Sequence, residues 1–141
     1  MVPNQVTRRI GTLLLLRQGP ETPRDEEWDE TLKLLSLNPS DLERMKVLVV
    51  TDGGGPTPDQ RKRLDRAMGG KPIRVAVVSE SVKVRFIVSS VALLTSNIQS
   101  FRVGEMEAAF KHLGLSQPER TAATQNIAEM TALISAKPRK K

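Results

Sequence analysis

The chain has 141 residues, no cysteine and a formal net charge of +6, which fits one domain that is long enough to bury its own core. The lack of cysteine excludes disulfide frameworks and thiolate metal sites and suits a reducing cytoplasm. Four basic residues lie among the last five positions, and the chain has no tyrosine, three phenylalanines and one tryptophan. This pattern predicts a basic tail rather than stacking platforms for nucleic acid, which is not an expected partner.

The N-terminal residues predict one core strand behind a polar lead. Residues 1–7 contain a proline and should form either a disordered lead or an edge strand, whereas Arg9 to Leu16 is predicted as the first core strand. The run Ile10–Leu16 resembles the start of a signal peptide, but it ends at Arg17 and no small-residue cleavage pattern follows. It is also far shorter than a bilayer span, so no transmembrane segment is expected.

A helix is predicted after the first strand, with Thr22 as its N-cap and Pro23 at its first position. Its buried face has apolar residues at the spacing i, i+4 and i+7, namely Trp28, Leu32 and Leu35. Asn38–Ser40 is predicted to end this helix, and the second strand is Val47–Val50. Because that strand is an unbroken aliphatic run, it should be buried on both faces.

A glycine-rich loop, Asp52–Pro56, joins the second strand to a helix that starts with a capping box. Thr57 is the predicted N-cap, Pro58 follows at the first helical position, and Gln60 lies at the third. A loop between a strand and a helix N-terminus is a frequent ligand site in open α/β sheets. The loop is therefore the first candidate for a functional site.

Two interpretations of the glycine loop follow. In the first, its backbone N–H groups and the helix start cradle a phosphate or nucleotide, and the residues of this site are Asp52, Gly53, Gly54, Gly55 and Thr57. In the second, the glycines only supply the positive φ angles of a tight turn. The turn is favoured, because Asp52 and Asp59 would repel an anion and no lysine completes a P-loop pattern.

Asp52 also has the position of a phosphoacceptor or a magnesium ligand, since it follows directly after a strand. Such sites need a second carboxylate, and only Glu80, after the third strand, is well placed to supply one. We therefore favour Asp52 as a turn-capping residue. We expect no metal, no cofactor and no catalytic residue.

The helix after the loop is predicted over Gln60 to Met68, with Gly69 in the left-handed cap position. A basic outer face is formed by Arg61, Lys62, Arg63 and Arg66. This face could steer an acidic partner, although such faces are more often simply solvated. The third strand is then predicted over Ile73–Val78.

Residues 79–96 are rich in β-branched residues, yet they are too many for one strand and hold no turn residues for two. Ser79 and Ser81 are suitable N-caps. One helical face would carry Phe86, Ser90 and Leu93. We predict a largely buried helix here, followed by a short fourth strand over Asn97–Arg102.

Gly104 is predicted to start a compact helix that ends at Gly114. Its inward residues would be Met106, Ala109, Phe110 and Leu113. His112, the only histidine, lies in the last turn, where the helix dipole stabilises a cation, so a surface role is predicted.

A second capping box, Ser116–Glu119, opens a last helix that should run to about Ala136. Its apolar stripe consists of Ala123, Ile127, Met130 and Ile134. Such a stripe suits docking onto the body of the domain or pairing with another chain, so a homo-oligomer through residues 117–136 is one expectation. Residues 1–136 form the predicted single domain, and residues 137–141 form the basic tail.

The predicted elements follow the order β-α-β-α-β-α-β-α-α. Alternation of this kind implies an α/β fold with a mostly parallel sheet of four to five strands and helices on its faces. No internal repeat or low-complexity segment interrupts the pattern.

Three segments carry a family resemblance: Val47–Asp52 with its loop and helix, Arg74–Ser79, and Phe101–Gly114. Together they resemble the STAS superfamily of anti-sigma-factor antagonists. The resemblance implies two paired strands at the start of the fold, a bacterial cytoplasm, and a non-enzymatic module that binds protein partners or small ligands. In the regulatory branch a serine or threonine of the loop is phosphorylated, whereas glycines occupy that place here and Thr57 is the nearest substitute.

The sequence therefore predicts a non-enzymatic STAS-like regulatory or protein-interaction module. Its expected contact surface is the loop and helix from Asp52 to Arg66. The alternative is a phosphate- or nucleotide-binding protein that uses the Gly53–Gln60 loop and helix N-terminus. Whether Thr51 or Thr57 is phosphorylated stays open at this point.

Overall fold

The computed structural model describes residues 2–35, 44–69, 73–92 and 97–135 and shows an α/β fold with one five-stranded sheet. The strands are β1 (Gln5–Ile10), β2 (Leu13–Gln18), β3 (Lys46–Thr51), β4 (Arg74–Val78) and β5 (Ile98–Phe101). The helices are α1 (Asp25–Leu35), α2 (Pro58–Met68), α3 (Val82–Ala92), α4 (Met106–Leu113) and α5 (Gln117–Ser135). The predicted helix end at Asn38–Ser40 and the basic tail 137–141 lie outside the described residues.

The strands follow one another across the sheet in the order β1-β2-β3-β4-β5. β1 is antiparallel to β2, and the four strands from β2 to β5 are parallel. The prediction of a mostly parallel sheet is confirmed. Because each crossover moves one strand further in the same direction and crossovers are right-handed, the three connecting helices α1, α2 and α3 belong on one face.

The prediction of a single strand over Arg9 to Leu16 is wrong. The chain turns back at Gly11, whose φ is 59°, and Ile10 pairs directly with Leu13. A two-residue hairpin turn needs a positive φ, which glycine supplies without strain. Apolar residues lie on both sides of this turn, so the sequence has the pattern of one continuous strand. For residues 1–7 the edge-strand alternative applies, because β1 is an edge strand of the sheet.

One face of the sheet is sealed by α4 and α5. Its strand residues are at most 7% exposed: Leu13, Leu15, Leu48, Val50, Ala76 and Val78. Ala109 and Phe110 of α4 and Ala123 and Met130 of α5 cover them. The apolar stripe of α5 thus docks on its own sheet, mainly against β1 and β2.

The other face is covered less completely by α1, α2 and α3. Trp28 and Leu35 of α1 are buried against Leu14 and Leu16 of β2, so this corner forms a second small core. Further along the same face, Val47, Val49 and Val75 are only partly buried, whereas Ile73 and Val77 are buried. The middle of the sheet is therefore accessible on this side.

Two helices differ from their predictions, α1 in where it begins and α3 in how far it is buried. α1 begins at Asp25 rather than at Thr22–Pro23, because the Arg24 N–H finds an acceptor in the Glu27 carboxylate, 2.9 Å away. α3 is a helix as predicted, but its prediction as largely buried is wrong. Val82 is 72% exposed and Ile87 is 45% exposed.

Candidate functional site

A cleft of about 1010 Å³ lies between the sheet and the layer of α1, α2 and α3. Its floor consists of apolar residues from neighbouring strands, namely Leu14, Leu16, Val47, Val49, Ile73, Val75, Val77 and Ile98. On one wall lie Leu64 and Met68 of α2, and on the opposite wall lie Val84 and Ile87 of α3. We refer to this space as the α2–α3 cleft.

The backbone of α2 lies closer to α1 than to the sheet, while its side chains Leu64, Ala67 and Met68 pack against the small core on this face. The Trp28 indole donates a hydrogen bond to the backbone oxygen of Gln60 at 2.8 Å. The buried Gln60 amide in turn donates to the Pro23 oxygen and to the Asp25 carboxylate, both at 3.0 Å. These hydrogen bonds fix the start of α2 against the start of α1. The rest of α2 forms one wall of the cleft.

The glycine loop lies at the mouth of this cleft, where Gly53, Gly54, Gly55 and Thr57 are among its lining residues. Its backbone donors are largely engaged within the chain. The Gly53 N–H donates to the Thr51 hydroxyl at 3.0 Å, and the Gly54 N–H donates to the Gly19 oxygen at 2.9 Å. The loop therefore does not present these two N–H groups to an anion.

Gly54 is needed because another backbone segment approaches it closely. A Cβ atom at this position would overlap the Glu21 oxygen and would lie 2.6 Å from the Gly19 oxygen. Gly53 has a φ of 133°, which favours glycine, whereas Gly55 has open space around it. Packing and turn geometry thus account for Gly53 and Gly54.

Asp52 does not line the cleft, and its predicted role as a turn-capping residue is not what the structure shows. Its carboxylate lies 3.1 Å from the Arg17 guanidinium, whose side chain is only 9% exposed. The turn is held instead by Thr51, whose hydroxyl donates to the Gly54 oxygen at 2.7 Å. Asp52 is therefore the counterion of the buried Arg17 cation. The sequence did not indicate this pair, because the two residues are far apart along the chain.

The capping box at the start of α2 is confirmed. The Gln60 N–H donates to the Thr57 hydroxyl at 3.1 Å, and the Thr57 N–H donates to the Gln60 side chain at 3.0 Å. Two further polar residues of this edge also have local partners. The Ser79 hydroxyl donates to the Thr51 oxygen, and Glu80 accepts from the Val103 N–H.

The four residues of the predicted basic face of α2 lie in three different environments. Arg63 turns toward α1 and lies 2.7 Å from Asp29, with Asp25 at 3.6 Å, so it does not belong to an outer partner face. Arg61 is exposed and lines the cleft. Lys62 and Arg66 are exposed residues that do not line it.

His112 holds α4 against the sheet instead of having the predicted surface role. Its Nε2 lies 3.1 Å from the Val75 oxygen and 3.2 Å from the Asn97 oxygen. Since both neighbours are acceptors, Nε2 must carry the proton. The ring also packs at 5.9 Å from the ring of Phe101.

Sequence reasoning missed the cleft and, with it, Lys83 in the first turn of α3. Lys83 lines the cleft on the wall opposite Arg61. A sequence signal existed, since Leu64, Ala67 and Met68 give α2 few large apolar residues with which to cover two central strands. Incomplete coverage of a hydrophobic strand face leaves either a cavity or a ligand site.

Among the described residues, the two titratable groups with clearly shifted pKa values lie away from the cleft. The pKa of Glu119 is lowered, chiefly because its carboxylate accepts the Ser116 backbone N–H, with Lys46 adding favourable charge against the opposing effect of burial. The pKa of Glu129 is lowered by hydrogen bonds from Arg8 and Gln125. Both carboxylates therefore support the position of α5.

Within the described ranges, no group of three or more acidic or histidine side chains could hold a metal ion. The helices of the described segments are too short or too polar to cross a membrane.

No protein-family model matches the chain, and the curated proteins contain no match to it. Among solved structures, the chain is similar to an enoyl-CoA hydratase from Mycobacterium avium subsp. paratuberculosis K-10, with 13% sequence identity and a TM-score of 0.38. The alignment covers 96% of this chain and 88% of that chain. A likeness this weak carries no argument about function.

Proposed function

We propose that this chain is a non-enzymatic, STAS-like binding module and that the α2–α3 cleft is where it binds an apolar molecule. The observation that carries the proposal is the difference between the two faces of one sheet. On the α4–α5 face Leu48 and Ala76 are fully buried, whereas on the opposite face Val49 and Val75 are only partly buried, although Val77 beside them is buried. An apolar ligand would complete the burial of these central strands.

The size and lining of the cleft agree with a small-molecule site. Its volume of about 1010 Å³ lies at the upper end of the range of about 300–1,000 Å³ that ligand pockets usually have. Predominantly apolar walls with a few polar groups at the mouth are the usual composition of such pockets. Burying the accessible parts of the strand residues would supply the free energy of binding.

The engagement of the nearby polar groups supports a non-enzymatic role. Asp52 is paired with Arg17, and Ser79 donates to a backbone oxygen. Among the residues that the structure describes, no nucleophile has a neighbouring base of the kind that covalent catalysis needs. The resemblance to the STAS superfamily agrees with this class, and the paired strands β1 and β2 match the start that it implies.

The test uses Trp28, the only tryptophan of the chain, which lines the cleft and is 2% exposed. A neutral brominated long-chain alcohol should quench the Trp28 emission, because a bromine atom quenches indole fluorescence on contact. Val49→Phe should weaken this quenching by filling the floor of the cleft. Val103→Phe is the matched control, since Val103 is 52% exposed and does not line the cleft.

Equal quenching of the wild type and Val49→Phe would show that the alcohol binds elsewhere. Absence of quenching at alcohol concentrations up to its solubility would contradict the proposed function. Thermal unfolding of both variants establishes that each is folded before the comparison is made.

A second candidate function is binding of a protein partner through α3. Val82 and Phe86 lie one turn apart on this helix and are 72% and 71% exposed, and exposed apolar patches often mark interaction sites. A photo-reactive amino acid at position 82 should form one discrete adduct in cells. The same group at Leu133, which is 46% exposed on α5, is the control, and identical adduct patterns would contradict this candidate.

A further inference from the structure

We infer that the cleft takes a single-chain amphiphile with an anionic head group, and that Arg61 and Lys83 hold this head at the mouth. The inference rests on the proposed function and adds the chemical class of the ligand. Its tail would lie along the apolar floor, and its carboxylate or phosphate would lie between the first turns of α2 and α3.

The two cations lie on different helices that both line the cleft. Arg61 is in the first turn of α2 and Lys83 is in the first turn of α3, and both residues line the cleft. Both helices follow parallel strands, so their first turns lie at the same edge of the sheet. The N-terminal ends of the two helices add partial positive charge there.

Neither cation is neutralised by the described part of the chain. Arg61 and Lys83 are exposed and have no ion pair among the described residues, whereas Arg63 lies 2.7 Å from Asp29. Among the described residues, the remaining charged one that lines the cleft is Asp65, which follows Arg61 by one helical turn and lies further from the mouth along α2. Asp52, Asp59 and Glu80 also lie at this edge, but they do not line the cleft, and each has its own partner, namely Arg17, Arg63 at 3.9 Å and the Val103 N–H. The two described charged residues that line the mouth are therefore both positive.

The lining favours an amphiphile over two simpler ligand classes. A free phosphate or a nucleotide phosphate would find the N–H groups of Gly53 and Gly54 already engaged, and it would leave the apolar floor uncovered. A purely apolar molecule would cover the floor but would leave Arg61 and Lys83 without a counterion. An anionic amphiphile satisfies both halves of the site, since charge-assisted hydrogen bonds to a carboxylate or phosphate are among the strongest polar contacts.

The experiment compares two probes with the same chain, 9,10-dibromostearic acid and the corresponding dibrominated alcohol, below the concentrations at which they form aggregates. Quenching of Trp28 should require a roughly tenfold lower concentration of the acid than of the alcohol, a ratio expected for charge-assisted contacts. In the double variant Arg61→Gln/Lys83→Gln the acid should lose this advantage, while the alcohol should bind as before. Lys62→Gln, next to Arg61 but outside the cleft, should leave both titrations unchanged.

The outcomes separate the two proposals. If acid and alcohol quench equally well, or if the double variant keeps the preference for the acid, the inference about the head group is overturned and the apolar site stands. If neither probe quenches Trp28, the proposed function itself fails. The corresponding dibrominated alkyl phosphate distinguishes a phosphate head from a carboxylate head. Inorganic phosphate serves as the competitor, and strong competition by inorganic phosphate alone would contradict the requirement for a chain.

Discussion

The guanidinium of Arg17 and the carboxylate of Asp52 form an ion pair of 3.1 Å between the end of β2 and the loop that follows β3. Arg17 also donates to the Thr131 hydroxyl at 2.9 Å and to the Gln18 oxygen at 2.6 Å. One buried cation therefore connects two strands, the glycine loop and α5. Asp52 supplies the negative charge that this burial requires.

Asp52→Asn should destabilise the fold by about 1–2 kcal/mol, because it leaves the buried Arg17 cation without its carboxylate. The loss should stay below the value for a fully buried pair, since the Asp52 side chain is 49% exposed. The measurement is the free energy of unfolding in urea at pH 7. Glu21→Gln, at an exposed carboxylate of the neighbouring loop, is the matched control and should change this free energy by less than about 0.5 kcal/mol.

A stabilising effect of Asp52→Asn would contradict this account. Such an increase is expected of a carboxylate that is held in place for a ligand or a metal rather than for a cation of its own chain. The double variant Arg17→Met/Asp52→Asn gives the coupling between the two groups, which should clearly exceed zero.

Gly54→Ala should be among the most damaging single substitutions in the chain, with a loss of about 3 kcal/mol or folding abolished altogether. The new methyl group would overlap the Glu21 oxygen, and the rigid backbone of residues 19–21 cannot move away as a flexible side chain would. Gly55→Ala is the control, because nothing lies within 4 Å of its Cβ position. Equal unfolding midpoints of Gly54→Ala and Gly55→Ala would contradict the close approach of residues 19–21 to Gly54.

The sequence predicted most of the fold because its signals are local. The capping boxes at Thr57–Gln60 and Ser116–Glu119 and the left-handed Gly69 and Gly114 all lie where the sequence placed them. Each of these signals depends only on residues within one helical turn. For the same reason the α/β class and the mostly parallel sheet followed from the alternation of elements.

The candidate site could not be predicted in the same way, because it depends on how far α2 and α3 stand from the sheet. That distance is set by contacts between remote residues, such as the Trp28 indole with the Gln60 oxygen. The ion pair between Arg17 and Asp52 is another long-range relation with no sequence pattern. The hairpin at Gly11 was missed for a different reason, since the apolar residues on both sides of it continue the pattern of one strand.

Arg63→Ala should cost about 0.5–1 kcal/mol of stability, whereas Arg66→Ala should be nearly neutral. Arg63 lies 2.7 Å from Asp29 and 3.6 Å from Asp25, so it links α2 to α1. Arg66 is exposed and has no ion pair among the described residues. Urea unfolding at low and at high salt measures both effects, and the cost of Arg63→Ala should decrease at high salt because the aspartates are exposed.

Equal effects of the two substitutions would show that the acidic residues of α1 do not hold α2 in place. The comparison also bears on any search for partners. Charge reversal at Arg63 would disturb the packing of α1 and α2, so it cannot report on an outer surface, whereas Lys62 and Arg66 can.

The start of α5 contains a carboxylate whose protonation should weaken the fold. Glu119 accepts the Ser116 N–H at 2.8 Å and lies 3.6 Å from the Lys46 ammonium, which joins α5 to β3. The Ser116 hydroxyl accepts the Glu119 N–H at 3.3 Å and completes the capping box. These contacts favour the ionised carboxylate and lower its pKa, although burial acts in the opposite direction.

Glu119→Gln should therefore lose stability relative to the wild type at pH 7, and this difference should shrink as the pH falls. A lowered pKa in the folded state means that the stabilisation is complete above the pKa of the unfolded chain, about 4.3, and is lost as the pH falls through the folded value. Unfolding free energies in urea between pH 7 and about pH 3 measure the difference. Ser116→Ala removes the other half of the capping box and should cost about 1 kcal/mol. This variant separates the effect of the cap from the effect of the charge, because its cost should persist when Glu119 is already replaced by glutamine. A difference between wild type and Glu119→Gln that stays constant over this range would contradict the lowered pKa, and one that grows toward low pH would reverse its sign.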